Sequence, residues 1–190
     1  MLEIIVISII KAITSYVTTS YLKNHYGSID IEGAPFWYGR EPSELICSST
    51  FKYGSMEQID TAKKQAVIKL NKKLSAVIND AIYHNKKFKH LKPDEEAFIQ
   101  KIINDKKLLK FVTNSIIYKN IKYDEDKNIV FVRGCVTKKD FISFETNRVK
   151  ELSKKLTFYK SDKAFDELNG SENKFNDREN KSFRELDSIQ

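Results

Sequence analysis

Residues 111–136 read FVTNSIIYKNIKYDEDKNIVFVRGCV, and this stretch decides the fold. Phe111 to Tyr123 is rich in β-branched and aromatic residues and reads as a strand. Asp124 to Asn128 is a run of polar residues suited to a turn. Ile129 to Val136 is a second apolar run of strand length. Two such runs joined by a short polar turn predict a β-hairpin.

Upstream, Leu45 to Phe51 reads as a further strand, with Leu45, Cys47, Ser49 and Phe51 on one face at period two. Tyr53-Gly54 ends it. Ser55 followed by Gln58 has the spacing of a capping box, and a long helix is expected from Met56 to Asn85. Its apolar stripe is Ile59, Ala62, Ala66, Leu70, Leu74, Val77, Ile78, Ala81 and Ile82, at steps of three and four. Lys86 to His90 breaks that pattern. Pro93-Asp94-Glu95-Glu96 opens another helix, since Pro suits the first turn and acids suit the positive end of the dipole. Phe98, Ile99, Ile102, Ile103, Leu108 and Leu109 line it. Thr137 is a candidate N-cap for a last helix from Lys138 to about Phe165. The order strand, helix, helix, strand, strand, helix predicts an α+β fold. It is a three-stranded antiparallel sheet with helices packed on one face.

The 190 residues suffice for one domain with tails, and 41% hydrophobic content supplies its core. Only 6 Gly and 3 Pro argue against a loop-rich all-β fold. The expected segments are 1–22 as a signal-like or membrane-anchor stretch, 23–33 as a linker, 34–166 as the folded domain, and 167–190 as a disordered polar tail. Leu2 to Leu22 is mostly apolar, with Thr18 and Ser20 spaced like a cleavage site. Yet no positive region precedes it, and Lys11 interrupts it at a cost of about 2.5–3.5 kcal/mol for a membrane span. An export signal, an anchor and an amphipathic helix are the three readings. Behind Pro35, the side chains of Phe36, Trp37 and Tyr38 are expected to anchor one end of the core; a binding patch is the other reading.

The formal charge is +7. Lys52 to Lys110 holds 14 Lys against 7 Asp plus Glu, whereas Ser161 to Gln190 holds 5 basic and 8 acidic residues. On the long helix Lys63, Lys64, Lys69, Lys72 and Lys73 form a candidate basic face for an anionic membrane or nucleic acid; a solvated helix face is the plainer reading. Most basic residues are Lys rather than Arg, which argues against specific nucleic-acid recognition.

No phosphate-binding, dinucleotide, nucleophile-elbow or zinc-protease motif is present. Asp94, Glu95 and Glu96 point about 100° apart on a helix and do not converge. His25, His84 and His90 with Cys47 and Cys135 are too few, and too scattered, for a metal site. No catalytic residue, metal ligand or cofactor site is expected, and the chain reads as a non-enzyme. If the strands that carry Cys47 and Cys135 are neighbours with facing Cβ atoms, an oxidising compartment would let the two form a disulfide.

Three segments in order carry a resemblance. They are Gly33-Ala34-Pro35-Phe36-Trp37, then Ile59-Asp60-Thr61-Ala62-Lys63-Lys64-Gln65-Ala66, and Ile129-Val130-Phe131-Val132-Arg133-Gly134-Cys135-Val136 ahead of a final helix. Across residues 33 to 160 the layout resembles the LPP-twenty lipoprotein family of epsilonproteobacteria, related to the TNF-alpha-inducing protein. The resemblance implies an exported, non-enzymatic protein of the periplasm or outer membrane. It also implies self-association or assembly with other envelope proteins, as a surface-adhesion or flagellum-associated module. The family's lipid-attachment Cys has no counterpart here, which narrows the expectation to an exported or tethered relative, with membrane association through residues 2–22.

Overall fold

The computed structural model describes residues 2–20, 31–40, 42–83, 93–103, 106–155, 157, 158 and 161. Most of the expected 23–33 linker, His25, His84, His90 and the expected 167–190 tail lie outside the described residues. The chain divides into two compact units, 1–150 and 151–190.

In the first unit the elements are α1 (Leu2–Ser15), β1 (Leu45–Tyr53), α2 (Ile59–Tyr83), α3 (Pro93–Ile103), α4 (Lys107–Ser115), β2 (Ile117–Asp124) and β3 (Ile129–Thr137). Helix α5 covers residues 138–150. The fold is α+β. Its sheet is antiparallel with the order β1-β3-β2, so β3 is the centre and β1 and β2 are the edges. In the second unit residues 151–155 are helical, with Lys155 paired to Glu151 at 3.1 Å.

Central placement explains why β3 is buried on both faces rather than alternating: every residue from Ile129 to Val136 is buried, and all but Arg133 of these are apolar or glycine. One face carries Val130 and Val132 against Ala62 and Ala66 of α2, with Ile59, Tyr118 and Tyr123 around them. The small alanines let the helix approach the sheet closely. Gly134 lies on the same face. A Cβ there would sit 2.5 Å from Ile116 Cδ1 and 3.5 Å from Ala66 Cβ, so only glycine leaves room. The Thr50 hydroxyl, fully buried, donates to the Ala62 carbonyl at 3.0 Å and ties β1 to the same helix.

The opposite face is covered by residues 31–40. Trp37 packs on Ile129 and Phe131, with Ile31, Ala34, Tyr38 and Phe51 around them. Tyr38 meets Phe131 edge-on at 5.5 Å and 79°. Phe36 departs from the expected anchor: it is 82% exposed, because the turn that buries Trp37 points its neighbour to solvent.

All of Ala62, Ala66, Leu70, Leu74, Val77, Ile78, Ala81 and Ile82 are buried, as a stripe at helical spacing should be. Each of the larger ones contributes roughly 1.5–3 kcal/mol. The helix start differs from the expected capping box. Ser55 makes no side-chain cap bond; the Gln58 N–H bonds the Ser55 carbonyl at 2.9 Å through a tight turn over Met56–Gln58. The Gln58 side chain is taken up over Gly54 instead, where a Cβ would meet Gln58 Cγ at 2.9 Å.

A second correction concerns Phe111 to Ser115, expected as strand and found as the end of α4. Leu108 and Val112 are buried one helical turn apart, and Phe111 stacks on Phe144 at 4.3 Å and 14°. Tertiary burial at spacing i, i+4 outweighs the strand preference of the β-branched residues. Thr113 settles into the helix by donating to the Leu109 carbonyl at 2.9 Å. The strand starts only at Ile117. The expected single helix from Pro93 through Leu109 is two, α3 and α4.

The hairpin joins β2 and β3 as expected, with Asn128 at φ 51° in its turn. A bulge at Lys119 lets Tyr118 and Ile121 face α2 together. Thr137 caps α5, accepting from the Asp140 N–H at 3.0 Å and donating to its carboxylate at 2.7 Å. Residues 2–20 form α1 and one wide terminal turn. Ile5, Val6, Ile9, Ile13 and Val17 are buried, and the Tyr16 hydroxyl donates to Asp80 of α2 at 3.1 Å. No helix among the described residues is long and apolar enough to cross a membrane.

Candidate functional site

The two cysteines lie directly opposite each other on β1 and β3, and the structure joins them. Their Cα atoms are 4.1 Å apart, the close spacing of a non-hydrogen-bonded antiparallel pair. Cys47 is 3% and Cys135 0% exposed, so this bond is sealed from solution thiols. It lies on the face covered by Trp37.

Two residues further down β3, Arg133 is buried beneath the 31–40 segment. Its guanidinium donates to the carbonyls of Trp37 at 2.9 Å and Arg40 at 3.1 Å and sits 5.4 Å from the Trp37 ring. Disulfide, arginine and indole thus form one buried ladder along the sheet. Burial alone raises the Tyr38 hydroxyl to about 12. The disulfide and the Arg133 guanidinium join segments distant in sequence, β1 to β3 and β3 to residues 37–40.

The candidate basic face does not stay together. Lys73 turns to the sheet edge and donates from Nζ to the Cys47 carbonyl at 2.9 Å. Lys63 lies 5.5 Å from the Tyr118 ring and 3.6 Å from Asp60. Lys64, Lys69 and Lys72 are exposed, with Ile68 open between them. The usable patch is therefore three lysines wide.

A second charged cluster, invisible as a motif, is buried between α3 and α5. Arg148 donates to Glu145 Oε2 at 2.5 and 3.1 Å, and to the Ile102 carbonyl at 2.5 Å. The cation thereby serves the open carbonyl end of α3. Among the described residues no group of three or more His, Cys, Asp or Glu is placed to hold a metal ion.

Comparison with protein-family models finds no match, and comparisons with curated proteins and with solved structures find none either.

Proposed function

We propose that this chain is a non-enzymatic assembly or adhesion module of a bacterial envelope, exported and similar in layout to the LPP-twenty lipoproteins. The observation that carries the reading is the buried Cys47–Cys135 bond, which closes 88 residues of sequence. Structural disulfides form and persist in oxidising compartments and are rare where thiols are kept reduced. A second support is spatial. Two of the three segments that carry the resemblance touch, because Arg133 of the last one holds the Trp37 carbonyl of the first. Burial of Ile9, Ile13 and Val17 favours residues 2–20 staying with the folded domain. Self-association and a link to motility rest on the resemblance.

The test is fractionation of cells at native expression, with alkylation before and after reduction and mass analysis of the N-terminus. An exported protein with both thiols blocked fits the reading. Cytoplasmic protein with two free thiols removes it.

A second reading, binding to anionic membrane or nucleic acid, is favoured by exposed Lys64, Lys69 and Lys72 on one stretch of α2. Its affinity for acidic vesicles or DNA should fall steeply between low and moderate salt. A flat response excludes it.

A further inference from the structure

The two edges of the sheet differ. β2 is interrupted by the bulge at Lys119 and carries Lys119, Lys122 and Asp124 along its length. Its open apolar residues, Ile117 and Ile121, pair with Cys135 and Val132 and so lie on opposite faces. Bulge and charges blunt that edge against a further strand. β1 keeps an unbroken register with β3 from Leu45 to Tyr53. Ile46, Ser48, Thr50 and Lys52 turn their main-chain groups to β3, which leaves those of Ser49, Phe51 and Tyr53 pointing outward. Among the described residues nothing takes up these outward groups. Lys73 fills the next acceptor, on Cys47, and ends the open stretch.

Different chemistry flanks the edge on each side. Phe51 and Tyr53 stand on the Trp37 face, edge-on to each other at 5.6 Å, with Tyr53 69% exposed. Lys52 stands on the other face, opposite Val130 and on the side of α2. Lys69 lies one helical turn before Lys73 on the same side of α2 and is exposed. Main-chain donors and acceptors thus run between an aromatic ledge and two lysines.

We propose that β1 receives an extended peptide of alternating apolar and acidic residues as a fourth, antiparallel strand. Its apolar side chains lie on Phe51 and Tyr53, and its carboxylates face Lys52 and Lys69. In antiparallel pairing the residues opposite Ser49, Phe51 and Tyr53 share their face, so the main-chain groups bonded to β1 belong to the apolar positions. A second copy of this chain suits the edge less well. Two-fold pairing about Phe51 would gather Lys52 and Lys69 of both copies on one face, where like charges repel. An acidic peptide partner fits the assembly reading above but does not require export, so a binding measurement and cell fractionation fail independently.

Full-length protein would be titrated with a synthetic peptide of alternating valine and glutamate, following amide shifts at Ser49, Phe51 and Tyr53. Methylating a valine amide nitrogen of the peptide should weaken binding at least about fivefold, the size of one lost main-chain bond, whereas methylating a glutamate nitrogen should leave it unchanged. Ser49→Pro, which removes an outward N–H and spares the bonds to β3, should weaken it by about the same factor. Lys52→Glu and Lys69→Glu should each weaken it roughly threefold at low salt, and Lys64→Glu, on the opposite side of α2, should not. Binding that ignores methylation at both sets of nitrogens overturns the proposal, as does equal affinity for a peptide of alternating valine and lysine. Absence of a localised response to the acidic peptide also overturns it, and dimerisation that Ser49→Pro abolishes would then assign the edge to a second copy.

Discussion

Lys73 reaches from α2 to the outer edge of β1 and places its ammonium on the Cys47 carbonyl at 2.9 Å. That carbonyl points away from β3, as it must at a non-hydrogen-bonded pair. The disulfide and the lysine therefore hold the same residue from opposite sides. The lysine also occupies an edge acceptor that would otherwise be open to another strand.

Lys73→Ala should lower stability by about 1 kcal/mol, since a half-buried charged donor is lost. Lys72→Ala, one residue away and exposed, should stay within about 0.5 kcal/mol of wild type. Urea unfolding of the two variants measures the difference; equal midpoints would mean that the lysine bond contributes nothing.

Removing the disulfide should cost more. The paired Cys47→Ala and Cys135→Ala substitutions are expected to destabilise the domain by about 2–5 kcal/mol, given the long loop the bond closes. Oxidised and reduced wild type should differ by a comparable amount in the same titration.

Gly134→Ala should destabilise by roughly 1–3 kcal/mol, because the added methyl meets the Ile116 side chain. Ile116→Ala removes the obstacle, so the double variant should lose less than the sum of the singles. A double-mutant cycle gives the coupling directly, and strict additivity would contradict the packing described.

Alkaline pH should weaken the fold through Tyr38. Burial raises its folded pKa to about 12 from the ordinary 10.0, so the neutral phenol is the form the fold favours. This stabilisation is fully present below pH 10 and is lost as pH rises towards 12. Tyr38→Phe should flatten the decline between those limits in a series of urea titrations across pH 9–12.

Much of the fold is legible in the primary structure because its signals are local and periodic. The stripe from Ala62 to Ile82 needs only helical spacing, and the hairpin needs two apolar runs around a polar turn. Phe111 to Ser115 is misread because Phe111, Val112 and Thr113 have strand preference and so short a stretch carries too little periodicity to reveal a helix end. That end is decided by Phe144 and by the burial of Val112. Phe36 and Trp37 are equivalent in composition, and only the turn geometry separates solvent from core. The split of Lys63 and Lys73 from the other three lysines likewise depends on Tyr118 and the β1 edge, distant partners that no spacing rule reveals.

The bond between Cys47 and Cys135 gives the chain a closed ring with two free arms. Helix α1 and helix α5 lie outside that ring, while α2, α3, α4 and β2 lie within it. A protease that nicks the ring once between residues 48 and 134 leaves two pieces joined through sulfur. Such a molecule stays in one covalent piece until a reductant is added, so a clip within the ring does not by itself release either end.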